Sequence, residues 1–445
     1  MTHVVTRSCC TDAACVHACP VNCIHPTPDE PDFGTTEMLY VDPSACVDCG
    51  ACVGACPVGA IKPHTRLGDD ELPFVDLAAA YHQLHRPRAL QAPVPTTVRL
   101  ARSGGLRVAV VGSGPAAVYL ADELVKNPEV EVTLLEQHAE PFGLARWGVS
   151  PDHRRTRAVR SQLARICDHP RITLRTGVRV DALDDLRADH DAVVWAGGAA
   201  VPRRLDVPTG VTTPVVGAAD LVAWWNGRPG AVVPEGIDAE HVTVVGAGNV
   251  ALDVARVLTA PPERLADAEL SDLVRARLAA VPRRHVTVLA RGAAMTAACT
   301  TSELIGLAAL RDRTVRATGV EDLGEPTGLP GHRATVLRRM AAAPEPTGDR
   351  SITLAFGRRP DADTWWSGLV VAAIGHRLPA DVPLPVDPVT GAVAHEAGAV
   401  VGRPGVYVVG WAKRGATGFI GTNRACARET ARTLLRDANR LAVVA

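Results

Sequence analysis

Residues 107–117 read RVAVVGSGPAA, an apolar strand that runs into a glycine-rich turn and then into helix-favouring residues. A dinucleotide's pyrophosphate needs that order. Gly112 permits the tight bend, Gly114 lets the backbone approach the phosphates, and Ala117 lets helix and strand pack closely. The helix N-terminus, with Pro115 at its start, supplies amides and partial positive charge. A lone glycine motif is weak evidence, but the next strand, VEVTLLE, closes on Glu136, placed to accept the adenosine ribose hydroxyls. Downstream the pattern returns as HVTVVGAGNVA, with Gly246, Gly248, Asn249, Val250 and Ala251 in the turn and first helical residues. Its following strand, HVTVLAR, ends on Arg291 where the first copy has an acid. Exchanging a ribose-reading carboxylate for a guanidinium favours the 2'-phosphate of NADP.

Further strands surround both copies: RITLRTG and DAVVWAGG after the first, GLVVAAIGHR after the second. Two runs of strand, glycine turn, helix and strand predict an α/β fold with two doubly wound, Rossmann-like dinucleotide-binding domains. The expected boundaries are 105–208 for the first part of an FAD-binding domain and 209–380 for an NADP-binding domain. Residues 381–445 form a return segment, in which GVYVVG and a helix from about Asn423 complete the first sheet. Residues 324–350, rich in Pro and Gly, read as a surface insertion. Residues 66–104, with scattered prolines at Pro73, Pro87, Pro93 and Pro95, read as a linker wrapping the surface.

Upstream of that linker the texture is different. Nine of the chain's 12 cysteines lie in the first 56 residues, a clustering that means metal ligands. Cys46, Cys49, Cys52 and Cys56, followed by Pro57, form C-x-x-C-x-x-C-x-x-x-C-P, the bacterial iron–sulfur run whose fourth cysteine serves the other cluster of a pair. The spacing recurs as Cys9, Asp12, Cys15, Cys19 and Pro20, with Asp12 where the middle cysteine should stand. Crossing the fourth cysteines assigns one 4Fe-4S cluster to Cys46, Cys49, Cys52 and Cys19. The other site takes Cys9, Cys15 and Cys56 with Asp12 as fourth ligand. Carboxylate is a harder, weaker ligand for this iron, so that site is expected to hold a 3Fe-4S cluster, the alternative being a 4Fe-4S cluster that readily loses one iron. Cys10, adjacent to Cys9, is the alternative ligand. Residues 1–65 therefore read as a small α+β two-cluster domain of the bacterial ferredoxin type.

At 445 residues the chain has room for about three domains, and its 47% hydrophobic and 21% charged composition is that of an ordinary globular protein. Neither a bilayer-spanning run nor an apolar leader stands out, so a cytoplasmic location is expected, with no membrane insertion and no nucleic-acid partner. The net charge of −1 hides an asymmetry: residues 1–65 carry seven acids against Arg7 and Lys62. An acidic module beside a basic remainder suits docking by charge complementarity.

The order of motifs, from the cysteine runs through GSGPAA, PFGLARWGVSPDH, GAGNVALDVAR and TTSELIG to GWAKRGATGFIGTN, resembles the adrenodoxin-reductase-like ferredoxin–NADP reductases, in the bacterial form with a fused N-terminal ferredoxin. The resemblance implies that Gly143 and Leu144 and the turn Gly418, Phe419 and Ile420 line a flavin. It implies that Trp411 lies by the nicotinamide, and that Asp152, His153 and Glu303 are active-site polar residues that place and polarise. The family's paired arginines at the 2'-phosphate site are here LARGAA, with Gly292 in the second place. Arg284 or another basic residue is then the expected compensation, and NADH remains open beside NADPH. Cys299 replaces a usual aromatic, which means a looser nicotinamide pocket or a repacked wall.

The implied activity is hydride transfer from NADPH to FAD and single-electron transfer to the module's clusters. From there electrons would pass to an external acceptor such as a ferredoxin or a cytochrome P450, by a monomer or weak oligomer. Two other readings remain: an electron-delivering subunit resembling the small subunit of glutamate synthase, and a non-catalytic redox sensor.

Overall fold

The computed structural model describes residues 2–85, 97–101, 104–207, 209–361 and 368–444. Pro87, Pro93 and Pro95 lie outside the described residues. Runs such as RVAVV and HVTVV are apolar at almost every position because they become central parallel strands covered on both faces. Leu106–Val111 is flanked by Val130–Glu136 and Ala192–Trp195 in a seven-stranded sheet. The late strand Val406–Val408 pairs in parallel with Ala192–Trp195, so the chain's last segment returns to the first sheet. A second sheet has six strands, all parallel, with His241–Val245 between Leu369–Ala372 and Arg284–Ala290. Between the sheets run two short antiparallel crossings, Val201–Pro202 and His376–Arg377.

In both sheets the first glycine of the turn is fixed by its neighbours. Gly112 and Gly246 have φ of 116° and 112°. A Cβ on Gly112 would press on the Ala196 carbonyl, and one on Gly246 would run into that of Ala373. The second glycines face open space, with nothing within 4 Å of a Cβ built on Gly114 or Gly248. Each turn thus closes against the next strand on one side and stays open on the other, where the helices Pro115–Leu124 and Asn249–Leu258 begin.

The N-terminal module has an internal repeat at the level of backbone angles. Helix Ala14–Ala18 follows Thr11 and Ala13 with φ of 57° and 60°, and helix Ala51–Ala55 follows Asp48 and Gly50 with φ of 58° and 74°. Both helices end on a cysteine, Cys19 or Cys56, with φ of −76°. In this alignment Asp12 matches Cys49 and Cys10 matches Val47. Strands close the module at both ends, His3–Val5 on Ile61–Pro63 and Ile24–His25 on Tyr40–Val41.

Two stretches differ from expectation. Within the stretch read as linker, Pro73–Leu84 is a helix that buries Phe74, Leu77, Ala78 and Tyr81 against the module's strands. Tyr81 stacks on Tyr40 at 4.4 Å between ring centroids and donates to Asp32 at 2.7 Å. The prolines masked a three-turn apolar stripe, and Pro73 merely starts the helix, where its missing N–H costs nothing. The expected surface insertion contains helix Gly328–Ala341, which buries Arg333, Ala334, Leu337 and Met340 and packs on Pro73–Leu84. These two helices wedge the module against the second sheet's domain. Replacing Leu77, 1% exposed, by Ala is expected to cost about 2–4 kcal/mol. The expected readout is bleaching of the module's visible absorbance at lower urea concentration, and an unmoved midpoint would refute the wedge.

Candidate functional site

Three segments converge on the first glycine turn. Gly143, with φ of 48°, places its backbone 3.4 Å from the Gly114 Cα, measured from an ideal Cβ. Gly410 packs so closely on Ala116 that a Cβ would lie 2.6 Å from the alanine's. Glu136 is buried at the strand end and accepts from the Ser113 amide at 3.2 Å, the Ser113 hydroxyl, and the His138 amide at 2.9 Å. Ser113 in turn accepts from the Phe142 amide at 3.1 Å, so one acid ties the turn to the segment carrying Gly143 and the exposed Leu144. An open Gly114, a helix N-terminus and a carboxylate at the next strand's end are a cradle that fits the dinucleotide end of FAD.

At the second turn, Asn249 accepts from the Thr300 amide at 2.9 Å and joins the glycine loop to the helix Thr301–Ala308. Val250 and Arg291 are exposed at the mouth of this turn. That arrangement fits a dinucleotide, and an exposed guanidinium beside the turn has the chemistry that pairs with a phosphate. Arg284 does not compensate for Gly292. It starts the strand that Arg291 follows, is fully buried, and donates to the carbonyls of Ile237 and Ala239. Behind Cys299, which is buried, Arg333 donates to the carbonyls of Cys299 at 2.7 Å and Ala297 at 2.9 Å. Nothing in proline and glycine content signalled that guanidinium.

Asp152, His153 and Glu303 come together, around a residue whose role the sequence did not suggest. Buried Arg256 donates to Asp152, to His153 Nε2, to Asp253 and, at 3.1 Å, to Glu303. Burial raises the Asp152 carboxyl, but Arg256 and His153 outweigh it and hold Asp152 well below the usual carboxylate range. Glu303 is likewise lowered against its burial, by His153, Arg7 and Arg256. Asp253 stays raised because burial dominates there. His153, Asp253 and Glu303 have donor atoms within 4.8 Å of one another, but the Arg256 guanidinium already serves as their shared cation. Such a cluster fixes geometry and field; it leaves no free base. Trp411 lies elsewhere, 5.7 Å from the His376 ring between centroids, with its indole N–H on the Thr417 carbonyl at 3.0 Å. Gly418, Phe419 and Ile420 follow in the same loop, with Gly418 exposed and the other two half-buried.

None of the 12 cysteines is paired in a disulfide. In the module their near neighbours sort into two groups. Burial pushes Cys9 up to about 12, with Cys56 and Asp12 adding to it. Cys15 is raised well above the thiol range by burial, then by Cys9, Asp12 and Cys56, with Cys52 of the other group after them. Across the module, burial pushes Cys52 up to about 11, followed by Cys46, Cys19 and Cys49. Cys10, also raised, is absent from the main neighbours of Cys15, and its carbonyl accepts from Gly421 at 2.7 Å. Cys23 lies 3.4 Å from Cys19, sulfur to sulfur, beside the second group. Asp12 Oδ2 is buried with no hydrogen-bond partner. A buried carboxylate oxygen without a hydrogen-bond partner, among buried thiols, is a donor set that fits a metal centre.

The Arg256 cluster has a pH signature. Asp152 has an ordinary value of 3.8 and a depressed folded value, so its contribution to stability is complete above the former and fades as pH falls through the latter. Arg256→Met strands buried carboxylates and is expected to cost about 3–5 kcal/mol near neutrality. Without Arg256 burial raises those carboxylates above their ordinary values, so in the variant they take up protons as pH falls from 7 toward 4, where the parent's Asp152 is still ionised, and the gap to the parent in melting temperature should shrink over that range. A gap that is constant between pH 7 and pH 4 would contradict this account of the cluster.

Residues 39–62 match the 4Fe-4S binding domain family and residues 106–309 the pyridine nucleotide-disulphide oxidoreductase family. The chain is 41% identical to a probable ferredoxin/ferredoxin–NADP reductase of Mycobacterium leprae, over 99% of this chain and 87% of the relative. It is 31% identical to the NADPH-ferredoxin reductase FprA of Mycobacterium tuberculosis, over 74% of this chain and 83% of that protein. A solved structure of Mycobacterium tuberculosis FprA in complex with NADPH superposes with a TM-score of 0.67 at 30% identity, covering 76% of this chain and 85% of that one. With cysteine module, two glycine turns and return segment in one chain, and 41% identity, over 99% of the chain, to a relative of that name, this protein belongs to the ferredoxin/ferredoxin–NADP reductase family.

Proposed function

We propose that the chain takes a hydride from NADPH at FAD and passes single electrons through iron–sulfur clusters of its own module to a separate one-electron acceptor protein of the ferredoxin or cytochrome P450 kind. The observation that carries this reading is the packing of the cysteine module directly on the return segment that closes the first glycine turn: Gly421 donates to the Cys10 carbonyl. FAD supplies a group that accepts two electrons as hydride and releases them singly, as iron–sulfur centres require.

The residues divide the remaining work. Gly114, Pro115 and Ala117 admit the FAD pyrophosphate to the helix N-terminus, and Glu136 reads the adenosine ribose. Gly143, Leu144 and the turn Gly418, Phe419 and Ile420 line the flavin. Gly246, Gly248, Asn249 and Val250 receive the NADPH pyrophosphate, and Arg291 its 2'-phosphate. Asp152, His153 and Glu303, locked by Arg256, hold the two domains in register so that the rings can stack at about 3–3.5 Å. Trp411 covers the nicotinamide side. Cys46, Cys49, Cys52 and Cys19 hold a 4Fe-4S cluster. Cys9, Cys15, Cys56 and Asp12 hold the second, of 3Fe-4S type; Asp12→Cys would then bind a four-iron cluster there, raising the iron-to-flavin ratio.

Anaerobic addition of NADPH to the purified protein is expected to bleach flavin absorbance first and then raise a reduced-cluster paramagnetic signal. Reduction of the clusters by dithionite but never by NADPH, even with an acceptor protein present, would reject the reading. Arg291→Ala removes a charge-assisted contact to the 2'-phosphate, worth about 1.5–3 kcal/mol, and should raise the KM for NADPH by roughly 10–100-fold. The KM for NADH, measured with ferricyanide, should hardly change; equal effects on both would clear Arg291 of that role.

A further inference from the structure

The module's internal repeat provides a comparison within one molecule. Its two cysteine loops have matching backbone angles and opposite surroundings. In the first loop Cys10, Thr11 and Asp12 are covered, with Cys10 4% exposed. In the second, the counterpart of Cys10 is Val47, 59% exposed, and its neighbours Asp48 and Cys49 are exposed too.

The cover on the first loop is the reductase itself. Gly421 donates to the Cys10 carbonyl at 2.7 Å, and a Cβ on Gly421 would run into the backbone of Thr11 and Asp12, so only glycine allows this approach. Thr156 reaches the Ser8 carbonyl at 3.5 Å, and Arg155 donates to the Gly59 carbonyl at 3.1 Å. Gly421 directly follows the turn assigned to the flavin. The second loop instead presents the apolar side chains of Val47 and Val53 to solvent, Val53 being 37% exposed.

We propose that the two centres work in a fixed order: electrons from the flavin side pass first to the centre of Cys9, Asp12, Cys15 and Cys56, then to that of Cys46, Cys49, Cys52 and Cys19, and leave through the loop around Val47 to a one-electron acceptor protein. The inference rests on the reductase reading above. The helices Ala14–Ala18 and Ala51–Ala55, packed on each other, join the centres, because each ends on a cysteine assigned to the other loop's site. The balance is simple. Each NADPH gives up a hydride, two electrons travel singly along the same route, two acceptor molecules are each reduced by one electron, and NADP+ and one proton are released.

The order is tested on the full-length, cluster-loaded protein reduced in steps with dithionite, so that neither NADPH turnover nor flavin reduction enters the readout. Soluble dysprosium–EDTA is added and the spin relaxation of each centre is followed by power saturation in its paramagnetic state. The all-thiolate centre is expected to relax several-fold faster, while the Asp12 centre stays close to its value without dysprosium. Equal enhancement, or the reverse, overturns the order, whatever the outcome of the NADPH experiments. A second variant addresses the exit. Val47→Lys should leave the rate of NADPH-driven cluster reduction unchanged in rapid-freeze spectra and slow the reduction of cytochrome c several-fold. Slowed cluster reduction, or an unchanged cytochrome c rate, rejects the exit at this loop.

Discussion

One guanidinium holds the parts of this protein in register. Arg256 projects from the helix that opens at the second glycine turn and binds Asp152 and His153 of the first domain together with Asp253 and Glu303 of its own. Arg7 of the module approaches Glu303 at 3.9 Å from the other side. A buried arginine with four partners is costly to desolvate, and the arrangement is stable only if every partner is in place. Hydride transfer needs donor and acceptor groups held at a defined separation, and a misplacement of about 1 Å costs roughly 100-fold in rate. A polar cluster that is satisfied in one arrangement alone sets that registry more sharply than an apolar contact, which tolerates sliding. The neighbouring links follow the same logic: Asn226 donates to the Trp147 carbonyl and accepts from Arg157.

The sequence disclosed what depends on local pattern. Both glycine turns, the cysteine spacing and the substitution at Asp12 are short-range features whose chemistry forces particular residues at fixed offsets. The structure places Asp152, His153 and Glu303 in one cluster, although Glu303 lies 150 residues further along the chain than His153. Arg256 was in plain sight within GAGNVALDVAR, but an arginine on a helix reads as a solvated side chain until its tertiary partners are known. The helices Pro73–Leu84 and Gly328–Ala341 were missed for another reason. Prolines and glycines at their starts and flanks dominated the reading, although Pro at the first helical position and Gly at an N-terminus are compatible with a helix. Their apolar faces are recognisable only against each other and the module. Arg284 shows the reverse error: its charge suggested a ligand, and its position at the buried start of a strand makes it a brace for the carbonyls of Ile237 and Ala239.

Charge asymmetry between module and remainder proved a partial guide. Glu37 of the module accepts from the Thr301 amide at 2.6 Å, at the N-terminus of the helix that carries Glu303, and Arg333 stands 3.9 Å away. A carboxylate there is favoured by the helix dipole, which offsets part of its burial. Asp12 similarly faces Arg424, whose guanidinium lies 4.7 Å above the Tyr119 ring. Yet Arg7, one of the module's two basic residues, is spent on the acidic Glu303. Net charge gives the sign of the long-range attraction; the contacts that fix the pose are individual and include one of opposite sense.

These contacts change how the fusion is to be understood. A carrier on a flexible tether gains from linkage only through effective concentration, and would have to dock anew for each electron. Here the buried residues of the module, Val4, Val16, Ile24 and Leu39 among them, belong to one continuous apolar core with Val108, Tyr119 and Leu134 of the first domain. The helix Pro73–Leu84 adds its own side chains to that core. A shared core makes separation of module and domain a partial unfolding, since apolar surface on both sides would have to be exposed to water. The arrangement therefore replaces repeated encounter between module and first domain with a fixed placement of one on the other.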